Sequence, residues 1–366
     1  MSEIKVNSIK GTGASSAAIT VHTSDGTATG KFTNIPGRNL VINGAMQVAQ
    51  YGTSSTTSSS YTCDRFHLTY SGQDEAPTFS QADVTSGGAY DAGFRKCLKV
   101  VNGNQTSGAG ASDIIQIRYR IEQQDLAQSG WNYTSASSYI TLSFWIKSSV
   151  GQAFTGSFFT NDGTAKAYKF STPYLSANTW TKVTKTIPGH ADLTINTGNG
   201  IGITLFLFPF IGTTWTSSDS TTETWVSNAG TNHANTNTTT WWTTNDATYE
   251  LTGVQIEVGD VATDFEHRSY GDELARCQRY YEALYMNAGT AMWISWASGS
   301  SQKMEYSFKV TKRAVPTSQL EGNASWSGAT PLSFHSTNIA GFHHANTAYS
   351  LSDSNGDLCY SFSAEL

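Results

Sequence analysis

The stretch "DIIQIRYRIE", residues 113 to 122, alternates without a break: Ile115, Ile117, Tyr119 and Ile121 share one face, and Gln116, Arg118, Arg120 and Glu122 share the other. Successive side chains of an extended chain point to opposite sides, so this is a strand with one buried and one polar face. Working outward, "YITLSFWIKSS" (139–149) repeats the period with Ile140, Leu142, Phe144 and Ile146 inward, which sends Trp145 to the outer face beside Thr141, Ser143 and Lys147. "LTGVQIEVGD" (251–260) sets Val254, Ile256 and Val258 against Gln255 and Glu257. Many short strands of this kind, joined by Ser-, Thr- and Gly-rich connections with no alternating helices, specify an all-β chain built on a jelly-roll β-sandwich.

One strand departs from the pattern. In "GIGITLFLFPFIG" (200–212) Ile203, Leu205 and Leu207 form one apolar face, and Phe206, Phe208 and Phe210 form another. A strand apolar on both faces is covered on both. The cover is either a long loop of the same chain or another subunit, and the three phenylalanines are candidate oligomer contacts.

Helical spacing occurs in "DFEHRSYGDELARCQRYYEALY" (264–285). Ser269 and Asp272 fit a capping pattern, Asp272 and Arg276 stand four apart, and Leu274, Cys277, Tyr281 and Leu284 form an apolar stripe at helical intervals. Such a stripe is too short for a free coiled coil, so the helix docks on a domain or on symmetry mates, and these four residues are further candidate contacts. The charges are explained by capping and pairing, and Asp272 and Glu273 are not a catalytic pair.

Four segments follow. Residues 1–37, rich in Gly, Ser, Thr and Ala, form an arm that orders on a partner. Residues 38–268 form the jelly roll, 269–286 a linking helix, and 287–366 a smaller β domain. In the last, "KMEYSFKVTKRAVPT" (303–317) alternates Met304, Tyr306, Phe308 and Val310 against Glu305, Ser307 and Lys309 before a Pro316 turn, and Asn355-Gly356 is a hairpin signal.

Composition excludes several function classes. Only 14% of residues are charged and the net charge is −6, so no basic surplus faces nucleic acid or an anionic membrane. Neither a signal peptide nor a membrane-spanning run is present, which implies synthesis in the cytoplasm. Cys63, Cys97, Cys277 and Cys359 stand far apart and read as buried thiols. No hydrolase, zinc or nucleotide-binding motif occurs. His343 and His344 are adjacent and point to opposite faces of a strand, so they do not share an ion. Expected, then, are no catalytic residue, no metal and no cofactor. Acidic pairs for glycoside hydrolysis, which distant strands can bring together, remain the open enzymatic alternative.

Aromatics give the more informative signal. Ten tryptophans and seventeen tyrosines exceed what modest cores need, and Trp215, Trp225, Trp241 and Trp242 lie in a Thr- and Asn-rich region. Flat rings among amides and hydroxyls form sugar-binding surfaces, so these four and Trp293, Trp296 and Trp326 are candidate glycan contacts. The competing reading has them anchor long loops. Rings exposed together favour glycan recognition; rings packed inside favour a structural part.

"RNLVINGAMQVAQYG" (38–52), "YTCDRFHLTY" (61–70), "IQIRYRIE" (115–122), "TWTKVTKTIPG" (179–189) and "VQIEVGDVATDFEHRSYGDELARCQRYYE" (254–282) occur in order, and "FKVTKRAVPT" (308–317) follows. Together they resemble the carbohydrate-binding-module-like jelly rolls of bacteriophage tail fibres and related virion appendages, over roughly residues 38 to 320. "SEIKVNSIKG" (2–11) is similar to leaders of fibre proteins from marine phages. The resemblance implies a non-enzymatic homotrimer of the virion, assembled in the host cytoplasm. Residues 1–37 would attach it to other virion proteins, a tail adaptor, nozzle or capsid, and its β domains would meet a host-surface glycan. A purely structural decoration and a glycan-degrading tailspike are the alternatives.

Overall fold

The computed structural model describes residues 37–216, 222–228, 230, 233–236, 238–285, 291–294, 301–320, 325–328, 332–345, 349–352 and 358–366, with 6–9, 12, 19–21 and 28–30 of the N-terminal segment. Two antiparallel sheets form a sandwich. The six-stranded sheet runs Thr181–Pro188, Tyr139–Ser148, Thr248–Val258, Lys96–Val101, Thr78–Asp83, Ser54–Ser55. The seven-stranded sheet runs Trp225–Ser227, Lys166–Ser171, Thr155–Thr160, Ile201–Ile211, Ile114–Glu122, His67–Ser71, Ser60–Tyr61. Between them lie Ile115, Ile117, Tyr119 and Ile121 of one sheet and Ile140, Leu142, Phe144 and Ile146 of the other, all buried as their alternation requires. Val254 and Ile256 join this core, while Val258, at the strand end, is exposed.

The apolar strand 201–211 holds a correction. Phe206 and Phe208 do lie on the outer face, but Phe210 is in the inter-sheet core, its ring centroid 4.4 Å from that of Trp242. The register against strand 114–122 shifts between Leu207 and Phe210. Pro209 lies within the shift and has no N–H to offer the ladder, so the strand bulges and the next side chain changes face.

The helix spans Tyr270–Gln278, and the Ser269 hydroxyl accepts the Asp272 N–H at 3.2 Å as the capping pattern anticipates. It ends earlier than the spacing predicts. Tyr281–Tyr285 is a strand, paired with Leu358–Ser363. In this tyrosine-rich segment strand pairing overrides the helical intervals of Tyr281 and Leu284. The helix docks on the sandwich of its own chain: Cys277 and Tyr280 pack with Ile42 and Val48, with Leu274 and Leu366 at the margin.

Beyond the helix, the described residues form a C-terminal β ribbon of three small three-stranded sheets. Ile339–Ala345 pairs with Ser301–Ser307 and Leu332–His335, Tyr349–Ser352 with Ala291–Ile294 and Ser325–Gly328, and Leu358–Ser363 with Tyr281–Tyr285 and Thr317–Leu320. Two of these sheets touch, with Tyr306 stacked on Phe362 at 5.7 Å and Phe308 edge-on to Phe362 at 5.1 Å. The Asn355-Gly356 signal lies outside the described residues. In the N-terminal segment, Ser8–Ile9, Ile19–Val21 and Ala28–Gly30 pair with one another.

The junction between sandwich and ribbon is built from buried ion pairs. Lys312 Nζ meets Glu282 Oε2 at 2.5 Å with both side chains fully buried, and Tyr306 donates to the other Glu282 oxygen at 2.6 Å. Arg279 forks onto both oxygens of Glu122 at 2.9 Å, and Tyr280 adds a third bond at 2.5 Å. Asn43 N–H donates to Glu273 at 2.6 Å, and the Arg65 guanidinium lies 3.4 Å over the Tyr280 ring. "RNLVINGAMQV", "CDRF" and "HRSYGDELARCQRYYE" thus touch one another, and their shared task is this joint.

Candidate functional site

Three of the seven tryptophans singled out from the sequence are not where a ligand could meet them. Trp225 is only 5% exposed, donates to the Pro188 carbonyl at 2.7 Å and packs on Tyr168. Trp241 and Trp242 are fully buried, their indole N–H groups spent on the carbonyls of Thr248 at 3.0 Å and Gly108 at 2.7 Å. These three rings are core wedges that tie the long connection after strand 201–211 onto the sandwich, which corrects their assignment as glycan contacts. Trp215 is half-buried and covers part of the outer phenylalanine face. Trp296 lies outside the described residues, as do the side chains of Trp293 and Trp326.

Phe206 and Phe208, also proposed as subunit contacts, are covered within the chain. His233 lies 4.7 Å from Phe159, 5.9 Å from Phe206 and 5.4 Å from Trp215, and Ala234 fills the same cluster. The helical stripe is likewise spent internally: Tyr281 stacks on Tyr51 at 3.6 Å, and Leu284 stands opposite Tyr360 in the ladder.

A groove does form on the other outer face. The alternation of strand 139–148 sends Trp145 outward, half-buried, as the sequence indicates. Opposite it the register slips between Ser143 and Trp145, and Gly253 takes up the extra residue with φ +63°. Phe94 packs on that glycine, where a Cβ would come within 2.6 Å of its ring. Phe94, Phe265 and His267 then make an aromatic wall, with centroids 4.8 to 5.1 Å apart. His267 Nε2 donates to the Ala92 carbonyl at 3.1 Å, which fixes the ring. On the far side the backbone at Gly88 presses on the Trp145 ring; a Cβ there would lie 2.7 Å from it. The resulting cavity is about 560 Å³ and is also lined by Asp91, Ser143, Lys182 and Asp264.

The polar groups here are unspent. Among the described residues, the side chains of Asp91, Lys182 and Asp264 make no hydrogen bond or ion pair. A half-buried indole with acceptors and a donor around it suits a ring that has one apolar C–H face and a rim of hydroxyls. Sequence reasoning placed Trp145 outward but missed the site, because its other members come from separate connections.

A larger cavity, about 870 Å³, lies where the N-terminal segment enters at Gly37 and Arg38 beside the helix. Most of its charges are already used, Arg276 excepted. Arg268 pairs with Glu266 and Glu273 at 3.3 and 3.5 Å, Arg279 with Glu122, Arg38 with Glu257 at 3.6 Å, and the Asp272 carboxylate accepts the Ser269 hydroxyl at 2.7 Å. Size alone does not make it the better site. Among the described residues no three His, Cys, Asp or Glu side chains gather as metal ligands.

No protein-family model matches the sequence, and no curated protein matches it. Solved structures match by shape. The enzymatically active domain of tailspike protein 4 of bacteriophage CBA120 is 11% identical with a TM-score of 0.34, the match covering 62% of this chain and 22% of that one. The N-terminal cellulose-binding domain of Cellulomonas fimi β-1,4-glucanase C is 10% identical with a TM-score of 0.25, covering 59% and 99%. The family 11 carbohydrate-binding module of a Clostridium thermocellum cellulosomal cellulase is 10% identical with a TM-score of 0.25, covering 59% and 98%. Such is the similarity in structure to carbohydrate-binding modules and to a phage tailspike domain.

Proposed function

We propose that the protein is a non-catalytic component of a bacteriophage virion, a homotrimeric tail fibre or appendage that binds a host-surface glycan. The observation that carries the binding reading is the groove over Trp145, with the free side chains of Asp91, Lys182 and Asp264 around a fixed aromatic wall. The virion placement is supported by the linked motifs from 38 to 320. In this reading residues 1–37 attach the chain to other virion proteins, and the buried ion pairs of the junction hold ribbon and sandwich in one orientation.

A panel of oligosaccharides presented to the purified protein tests the binding reading. At least one should bind, and Trp145→Ala should weaken its binding at least tenfold while the protein stays folded; binding untouched by that change would remove the groove from the proposal. Light scattering tests the trimer, and a monodisperse monomer at micromolar concentration would sink it. A second reading, a structural adaptor that contacts only virion proteins, is favoured by the burial of Trp225, Trp241 and Trp242. It takes precedence if no glycan binds and the protein assembles onto virions that lack it.

A further inference from the structure

The outer face of the seven-stranded sheet has a half that the phenylalanine cover does not reach. Along strand 114–122 its outward residues are Gln116, Arg118, Arg120 and Glu122, and the register sets Arg118 between Phe206 and His67. A guanidinium withdrawn from water needs a counter-charge. Elsewhere in the molecule that need is met: Arg65 pairs with Glu365, Arg279 with Glu122, Arg268 with Glu266, and Lys312 with Glu282.

Arg118 does not follow this rule. It is half-buried, no carboxylate lies within ion-pair distance among the described residues, and its Nε is buried without a hydrogen-bond partner. Its hydrogen bond runs from Nη2 to Nδ1 of His67, at 2.5 Å. That contact brings no negative charge. Arginine only donates, so Nδ1 must accept and the His67 ring is neutral, its proton on Nε2 facing the Ser59 hydroxyl at 3.0 Å. Burial and the charge of Arg118 bring the His67 pKa down to about 4, so the ring stays neutral near pH 7.

Arg120 adds positive charge beside Arg118, offset in part by Glu365 next to Arg120. Arg120, next on the same face, spends Nη1 on the Leu366 backbone oxygen and leaves its own buried Nε without a partner. Burial, then Arg120, lower the Arg118 pKa to about 10. Beside the pair lies an aromatic surface: Tyr61 is 4.8 Å from His67 and stacks on Tyr51 at 4.8 Å. Gln116, which donates to Thr69 at 2.6 Å, supplies neutral polar groups.

We propose that Arg118, flanked by Tyr61 and Arg120, binds the anionic group of an acidic saccharide, a uronate carboxylate or a sugar sulfate. Arginine matches such oxyanions in shape and charge, and an adjacent ring with amide and hydroxyl groups suits a sugar better than a free ion. This inference rests on the glycan reading but uses a face of the sandwich remote from Trp145 in the fold.

Calorimetry with two matched pairs tests it: an oligogalacturonate against its carboxyl-reduced form, and a sulfated galactan oligosaccharide against its desulfated form. The full-length protein should bind the charged member of one pair at least tenfold more tightly, and that pair names the anion. Arg118→Gln should erase the preference, and Trp145→Ala should leave it. Equal affinity within both pairs, a preference that survives in Arg118→Gln, or no binding to either charged member overturns the proposal. Neutral sugars bound through Trp145 alongside any of these outcomes would leave the glycan reading standing without this site. A preference mapped to Arg118 with no sugar sensitive to Trp145 would do the reverse. Thermal melting gives an independent check. If Arg118 served only the fold, Arg118→Gln would melt lower, whereas loss of an unpaired half-buried charge leaves the midpoint unchanged or raises it.

Discussion

On the outer face of the seven-stranded sheet Phe159, Phe206 and Phe208 lie beneath Trp215, His233 and Ala234, whereas on the outer face of the six-stranded sheet Trp145 lies in an open groove. Both faces present aromatic side chains from strands of the same period. What differs is the chain that returns across them. The connection from Ile211 to Thr248 is long enough to cross its sheet and plant rings on it. On the other side, residues 84–95 and 263–267 reach only part of the way, and the gap between them is the groove. Closure of a sheet face is thus decided by its connections, and a strand apolar on both faces does not by itself imply a partner subunit.

The largest effect that separates the two faces is on stability. Phe208 is 1% exposed, and Phe208→Ala should cost about 4 kcal/mol of unfolding free energy in urea, since a large ring is lost and a cavity left. A loss under about 1 kcal/mol would mean that the cover is not closed in solution, and the face would again be open to a second chain. Next comes the end of the same sheet, where the junction replaces rings with charges. Burial alone would raise the Glu122 carboxyl, but bonds from Arg279 and Tyr280 hold it below the usual range. Glu122→Ala leaves Arg279 without its carboxylate and should cost about 3 kcal/mol, read by the same urea unfolding. An unchanged unfolding free energy would show that the joint rests on its apolar contacts.

Trp145→Ala should behave oppositely. The ring is half-buried on an open face, so the loss of stability should stay below about 2 kcal/mol while glycan affinity falls at least tenfold. A large stability loss without a binding change would place Trp145 with the covered rings and close the contrast between the faces.

Much of this architecture was legible in single strands. The alternation in 113–122 and 139–149 assigned inner and outer faces that the packing reproduces, and the cap at Ser269 marked the helix start. The misreadings share one cause. Phe210 changes face because Pro209 breaks the ladder, and Tyr281 and Leu284 join a strand because a partner comes from residues 358–363. Trp241 and Trp242 are core because the loop that carries them folds back. Each outcome is set by a distant segment, and local periodicity has no access to it. The groove illustrates the same limit, since Asp91, Trp145, Lys182 and Asp264 converge only once the sheets are assembled.

The smallest expected effect concerns acid. His233 lies in the cover, Nε2 facing the Gly230 carbonyl at 3.0 Å and Nδ1 buried with no partner, and burial lowers its pKa. A histidine whose folded pKa is depressed binds fewer protons folded than unfolded, so its contribution to stability is lost as pH falls below about 6.5. His67 acts in the same direction, with its pKa at about 4, while Asp64, raised by burial to about 7, acts in the opposite one as it takes up its proton. Asp125, also raised by burial, acts as Asp64 does, so absolute curves mix several groups. The difference between wild type and His233→Phe isolates one of them, because the phenyl ring fills the same aromatic site without titrating. Between pH 7.5 and 5 the wild type should lose more stability than the variant, and it should bind more of a hydrophobic dye at the acid end as the cover loosens from Phe159 and Phe206. Parallel stability curves for the two proteins would show that His233 does not hold the cover down, and the closure of this face would then rest on Trp215 and Ala234.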